Sequence, residues 1–173
     1  MDSKPLRILQ THEIRSLPWA CGDQCDVVLN LSLTGIRFGE LVRPDLADVD
    51  LNAQSYRVVR QPKSQTRDRS VPFPVGLLKT LQLRIAGREA EDHATSAPSS
   101  GVRLKLANWK RVARWKESPE SIGRPYRRVH DLRHSFVAQS IVAGIGTWQI
   151  HQVMGIAARP VEFRCYTDRR ETD

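Results

Sequence analysis

The chain has 173 residues, enough for one domain with a hydrophobic core and too few for two domains of ordinary size. Its 27 lysine and arginine residues outnumber its 19 aspartate and glutamate residues, giving a formal net charge of +8. This excess favours a polyanionic partner, nucleic acid first. The start lacks the apolar core of a signal peptide, and no apolar run approaches the roughly 18 residues that span a membrane, so we expect a soluble protein.

The three cysteines, Cys21, Cys25 and Cys165, include no second closely spaced pair. This pattern argues against a disulfide framework and against a four-cysteine zinc site, and it fits a reducing cytoplasm. Cys21 and Cys25 are four residues apart and could share a helix face, where buried reduced thiols are favoured over metal ligands.

Helices are predicted at the start of the chain. Apolar spacing indicates a mostly helical region over residues 5–33, and Thr34-Gly35 then provides a break with a possible N-cap. A short helix is predicted over residues 36–42. It should end before Pro44, because the residue that precedes a proline avoids the helical conformation.

Extended segments follow, and their β-branched residues, alternation and turn residues indicate a small antiparallel sheet. Lys63 falls in the turn between the last two of these segments, from which its side chain could reach into a groove. Arg67 and Arg69 are alternative basic residues nearby. The predicted strands lie within residues 48–51, 56–60 and 69–74.

Helical periodicity returns after the sheet. The helix nearest the middle of this region is basic and amphipathic, with Leu106, Trp109 and Val112 as candidate buried positions. The pattern as a whole predicts a mixed α/β, mainly helical domain, with helices around one small sheet. The predicted helices cover residues 76–86, 104–115, 129–143 and 147–154.

Three short motifs contain residues suited to breaking a phosphodiester. Negative charge gathers on the non-bridging oxygens of phosphate in the transition state, and planar guanidinium groups bind those oxygens well. Arg37 and Arg133 fit that requirement, and His130 stands three residues before the second arginine. The motifs are Thr-Gly-Ile-Arg-Phe-Gly-Glu-Leu at 34–41, His-Asp-Leu-Arg-His at 130–134 and Arg-Cys-Tyr-Thr-Asp at 164–168.

This ordered set resembles the catalytic domain of the tyrosine recombinases, the phage integrase family. Lys63 follows Arg37 by 26 residues, His130 follows Lys63 by 67, and Tyr166 follows Arg133 by 33. The resemblance extends over nearly the whole chain. It implies the fold of that catalytic domain, a protein associated with the nucleoid, and double-stranded DNA as the partner, bound by a self-associated tetramer.

The resemblance also implies DNA strand cleavage and rejoining with no metal and no high-energy cofactor. Tyr166 would attack the scissile phosphate and leave a 3′-phosphotyrosyl link. Arg37 and Arg133 would hold the non-bridging oxygens, and Lys63 would protonate the departing 5′-oxygen. His130 would assist deprotonation of the tyrosine or orient the phosphate.

Each of these roles has a plainer alternative. Arg37 could merely pair with Glu40 on a solvated helix face, whereas the resemblance gives Glu40 the task of bracing the helix that carries Arg37. Arg133 could be a surface charge. Tyr56 and Tyr126 compete with the proposed nucleophile, but Tyr56 falls in a predicted strand and Tyr126 precedes the His130 motif, so the order of residues favours Tyr166.

Two features depart from the family pattern. The family usually has a histidine or tryptophan about 23 residues after the second arginine, where this chain has Ile156, and the interval from there to Tyr166 is about one residue longer than usual. No N-terminal core-binding domain is evident, so we expect one catalytic domain over residues 1–173. A catalytically impaired DNA-binding remnant or regulator is the main alternative, and a fragment of a longer protein stays open.

Overall fold

The computed structural model describes residues 8–59, 68–89, 92–94 and 103–155. No helix in these ranges is both long and apolar enough to cross a membrane. The predicted mixed, mainly helical α/β fold is confirmed. The elements are α1 (Thr11–Ala20), α2 (Cys25–Thr34), α3 (Phe38–Leu41), β1 (Val49–Asp50), β2 (Ser55–Val58), β3 (Arg69–Pro72), α4 (Val75–Ile85), α5 (Leu106–Val112), α6 (Ser118–Ser121), α7 (Val129–Val142) and α8 (Thr147–Met154).

The three strands form one antiparallel sheet in the order β1-β2-β3, as the sequence predicted. In the β2–β3 pair Tyr56 lies opposite Val71 and Val58 lies opposite Arg69. Tyr56, Val58 and Val71 are buried, whereas Arg57 is exposed because successive side chains point to opposite faces of a strand. Arg69 therefore stands on the face of the sheet that belongs to the core.

Helix α2 lies at the centre of the fold and packs against α1, α4 and α7. Its Val27, Val28 and Leu31 side chains are buried. Asn30 is buried in the same helix, and its Oδ1 accepts a hydrogen bond of 2.5 Å from the hydroxyl of Tyr56 in β2. Because a buried polar group is costly without a partner, this pair fixes the sheet against α2.

A group of aromatic side chains closes the core around α5. Trp109 is fully buried, with its ring centroid 5.4 Å from that of Phe38 and 5.3 Å from that of Trp115. The predicted burial of Trp109 is confirmed, but that of Leu106 and Val112 is wrong, since both are exposed. The helix has only seven residues and reaches the core through one side chain, and the turn that follows supplies the second tryptophan.

Cys21 and Cys25 do not share a helix face, contrary to the prediction. Cys21 ends α1, a 3₁₀ turn at Gly22–Gln24 follows, and Cys25 begins α2. Both carry reduced thiols, and burial raises the pKa of the Cys21 thiol. Cys165 lies outside the described residues.

The break predicted after α2 is present, but its chemistry differs from the expectation. Thr34 is the last residue of α2 and does not cap the next helix; its hydroxyl accepts a hydrogen bond of 3.2 Å from the Ile36 amide. Gly35 ends the helix with a φ of +63°, a left-handed conformation that glycine adopts readily. The ring of Phe136, from α7, occupies the space that a Cβ atom at Gly35 would need.

Replacing Gly35 by alanine should therefore be more damaging than a change at another left-handed glycine. Gly22 has a φ of +55° and open space around its Cα atom. We expect Gly35→Ala to lower the free energy of unfolding by about 2–4 kcal/mol, through backbone strain and collision with Phe136, and Gly22→Ala to lower it by about 1–2 kcal/mol. Urea unfolding of both variants measures this difference. Equal losses would contradict the role assigned to Phe136.

Candidate functional site

Arg37 stands directly before α3, with an extended backbone (φ −73°, ψ 146°), and is not inside the helix that was predicted over residues 36–42. Glu40 accepts hydrogen bonds from the Arg37 amide, at 3.0 Å, and from Arg37 Nη1, at 3.1 Å. The contact expected from their three-residue spacing is thus confirmed. The Arg37 side chain is 40% exposed, so its guanidinium lies at the surface, where the more buried Glu40 binds it.

Glu40 also binds a second guanidinium, that of Arg69 in β3. Arg69 Nη2 donates to Oε2 at 2.9 Å and Nη1 donates to Oε1 at 3.3 Å, and both side chains are largely buried. Burial alone would raise the pKa of the Glu40 carboxyl, but the hydrogen bonds from Arg69 and the Arg37 amide and the charges of both guanidinium groups outweigh it and hold the pKa below its ordinary value. Glu40 is therefore a carboxylate shared by two arginines.

Arg69 reaches a second partner at the end of α8. Its Nε donates to the backbone oxygen of Val153 at 2.9 Å, and its guanidinium lies against Gly155. These internal contacts remove Arg69 as an alternative to Lys63 for protonating a leaving group. Lys63 itself and Arg67 lie outside the described residues.

Arg133 is buried within α7, so its interpretation as a surface charge is wrong. Nη1 donates to the backbone oxygen of Gly35 at 2.5 Å, and Nη2 donates to that of Met154 at 3.0 Å. Gly35 ends α2 and Met154 ends α8, where backbone carbonyl groups lack partners within the helix and carry the negative end of the helix dipole. One guanidinium therefore binds the ends of two helices.

His130 lies in the first turn of α7, with its ring edge-on to that of His134 at a centroid distance of 4.8 Å. Partial burial lowers the pKa of His130 most, the positive charges of His134, Arg133 and Arg37 lower it further, and Asp131 opposes them, so that the pKa is about 4. Burial also lowers the pKa of His134. Near pH 7 the imidazole of His130 is therefore neutral, and the positive charge of the site comes from the arginines.

The structure brings together three of the five residues that the sequence singled out. Arg37, His130 and Arg133 are near enough for the charge of each arginine to act on the histidine, and Gly35 joins the two arginines through the short segment before α3. Lys63 and Tyr166 lie outside the described residues, as does Ile156. No cluster of histidine, cysteine, aspartate or glutamate able to hold a metal ion occurs in the part of the chain that the structure describes.

The competing tyrosines differ in their surroundings. Tyr56 is buried in the sheet and bound to Asn30, which rules it out as a nucleophile for an external phosphate. Tyr126 is exposed, in the segment before α7.

Arg69 is the residue whose role sequence reasoning missed. The sequence identifies it only as a basic residue near the turn that contains Lys63. The signal is nevertheless present, because Arg69, Val71 and Phe73 alternate along the predicted extended segment 69–74 and the last two are apolar core positions.

Comparison with known proteins agrees with this architecture. The chain matches the model of the phage integrase family over residues 7–171 and therefore belongs to that family. It is 27% identical over 126 residues to the tyrosine recombinase XerC of Corynebacterium glutamicum, covering 72% of this chain and 40% of that protein. It thus spans less than half of the length of this relative.

Solved structures show the same fold. The XerA recombinase superposes with a TM-score of 0.76 at 25% identity, over 96% of this chain and 60% of the other. The Tn1549 transposon integrase, solved in complex with circular intermediate DNA, gives a TM-score of 0.78 at 17% identity, over 95% of this chain and 64% of the other. A lambda integrase dimer bound to a COC′ core site gives a TM-score of 0.71 at 17% identity, over 100% of this chain and 51% of the other.

The charge state of His130 is directly measurable. We expect the Cε1 proton of His130 in the unbound protein to titrate with a midpoint near pH 4, because partial burial and the neighbouring positive charges favour the neutral ring. NMR titration with assignment by His130→Gln tests this. A midpoint near the ordinary value of about 6.5 would show that burial and the neighbouring charges do not keep this ring neutral as described.

Proposed function

We propose that this domain cleaves and rejoins double-stranded DNA through a 3′-phosphotyrosyl intermediate, as a site-specific recombinase or integrase. The observation that carries the proposal is the arrangement at the end of α2, where Arg133 binds Gly35 just before Arg37. The neutral His130 lies close enough to both arginines for their charges to lower its pKa. Family membership and the likeness to recombinases solved on DNA support it. We propose further that residues 1–173 form one catalytic domain.

The arginines suit the charge that develops on phosphate. Arg37 presents a half-exposed guanidinium that Glu40 holds in place, and Arg133 is fixed by two backbone carbonyl groups. Groups fixed in this way need little reorganisation when charge develops on the non-bridging oxygens. Removing one such donor from an enzyme commonly costs about 100- to 1000-fold in rate.

The covalent step that we assign to this site needs no cofactor. The phenol of Tyr166 loses its proton to water as its oxygen forms a bond to phosphorus, the bond from phosphorus to the 5′-oxygen breaks, and Lys63 gives a proton to that oxygen. The reverse attack by a 5′-hydroxyl reseals the strand and releases the tyrosine. Because an imidazole with a pKa of about 4 is a weak base, we assign His130 to orienting the phosphate by donating an N–H to it.

The partners we propose are double-stranded DNA and further copies of the same protein, assembled as a tetramer on the DNA. The formal charge of +8 fits the first of these and predicts binding that weakens as salt rises. Two solved structures of the same fold give precedents for binding to DNA: the XerH recombinase on its difH substrate and the lambda integrase dimer on its core site.

One observation favours a second candidate, a DNA-binding regulator derived from such an enzyme. Ile156 replaces the histidine or tryptophan usual at its position, and its side chain neither donates nor accepts a hydrogen bond. The regulator would bind DNA with the same salt dependence and form no covalent link.

Covalent capture separates the two candidates. On nicked suicide DNA substrates without divalent metal, we expect the chain to form a denaturation-resistant protein–DNA adduct, and Tyr166→Phe to abolish it while DNA affinity changes less than about threefold. Tyr126→Phe is the matched control and should keep the adduct. An adduct that survives Tyr166→Phe would overturn the nucleophile, and salt-sensitive binding without any adduct in the wild type would favour the regulator.

The departure at Ile156 has a test of its own. If the missing phosphate contact limits the rate, Ile156→His should raise the rate of adduct formation by about tenfold or more, in line with the usual worth of a donor to the transition state. Ile156→Val, which adds no donor, is the control. Equal rates in the two variants would mean that the loss of this donor does not limit cleavage.

A further inference from the structure

The contacts of Arg69 close a continuous ring of interactions that includes both site arginines. On one side Arg69 binds the carboxylate that holds Arg37, and on the other it binds the end of α8, whose next carbonyl group is bound by Arg133. Arg133 then returns to the segment that precedes Arg37. The ring runs through Arg37, Glu40, Arg69, Val153, Met154, Arg133 and Gly35.

We propose that Arg69 is a positioning residue that sets the guanidinium of Arg37 relative to that of Arg133, and that DNA cleavage depends on it although it does not touch the DNA. The inference rests on the proposed function for its effect on rate. It rests on the geometry alone for the link between the two arginines.

The bonding pattern requires an arginine at this position. Both terminal nitrogens of Arg69 bind Glu40, while Nε binds Val153. A planar guanidinium holds three donors in a fixed relation, so it fixes the carboxylate and the carbonyl group relative to each other. A lysine ammonium is a single point of charge on a flexible stem and does not hold the two acceptors in this relation.

The position of Arg69 makes these contacts strong. Its side chain is 7% exposed and that of Glu40 is 12% exposed, so water screens their interaction little. Removing the guanidinium would leave a mostly buried carboxylate with one arginine partner, and the carbonyl group of Val153 would lose a donor. The links from Arg69 to Glu40 and to the end of α8 would both be lost, so Arg37 would be held less firmly.

A second, independent feature shows that space is provided for this guanidinium. Gly155 follows α8 with a φ of +60°, and a Cβ atom there would lie 2.7 Å from Arg69 Nη1 and 2.8 Å from its Cζ. The glycine thus allows both the reversal of the chain and the close approach of Arg69. The end of α8 is shaped around the arginine side chain.

The kinetic test compares Arg69→Met and Arg69→Lys with Arg57→Met, an exposed position on the opposite face of the same sheet. We expect Arg69→Met to slow single-turnover adduct formation by about 30-fold or more, with a Kd for DNA within about threefold of wild type. Arg69→Lys should recover only part of the rate, and Arg57→Met should stay within about twofold. Wild-type cleavage by either Arg69 variant, or parallel loss of binding and cleavage, would overturn the proposal.

A double-mutant cycle locates the effect. If Arg69 acts through Glu40, the losses caused by Arg69→Met and Glu40→Gln should be clearly less than multiplicative when the two changes are combined, because each breaks the same link. Multiplicative losses would mean that Arg69 acts by another route and would overturn the proposal.

Amide hydrogen exchange tests the link without relying on catalysis. The Arg37 amide donates to Glu40 and the Gly155 amide donates to Gln152 at the end of α8. In Arg69→Met both amides should exchange at least about tenfold faster than in Arg57→Met. Unchanged exchange would overturn the link, and faster exchange in a protein that forms no adduct would support the link while refuting the proposed function.

Discussion

The arrangement of this domain depends on one interaction, the binding of the buried Arg133 guanidinium to the backbone oxygens of Gly35 and Met154. Burying a charge is expensive, and here the carbonyl groups at the ends of α2 and α8 offset that cost, because helix ends carry unpaired oxygens and the negative end of the dipole. The bond to Gly35 also anchors the segment between α2 and α3, two residues before Arg37. A residue expected to bind substrate also organises the core.

This sharing has a consequence for how the site keeps its shape. The two arginines lie on different parts of the chain, and packed elements set their separation: α7 places Arg133, and Glu40 together with Arg69 on β3 places Arg37. Gly35, with its left-handed backbone packed against Phe136 of α7, lies two residues before Arg37, and its carbonyl group binds Arg133. The contacts that stabilise the fold therefore also hold the two positive charges in place.

The sequence predicted what depends on local patterns. Alternation and apolar periodicity located the sheet and the long helices, and spacing along the chain indicated the contact between Arg37 and Glu40. It did not predict that Arg37 lies outside α3 or that Arg133 is buried. The second failure has a physical cause: the partners of Arg133 are backbone oxygens of distant segments, and a backbone oxygen leaves no mark in the sequence.

That choice of partners bears on how the domain tolerates variation. No side-chain substitution at positions 153 or 154 removes a carbonyl oxygen, so both acceptors persist whichever side chain stands there, and the burial of Met154 limits only the size and polarity of its side chain. The donors have no such latitude, since a guanidinium belongs to one amino acid. Sensitivity to mutation is therefore divided unequally: the link depends on the identity of a few arginines and glycines, whereas at positions 153 and 154 it depends on a backbone oxygen that every residue supplies.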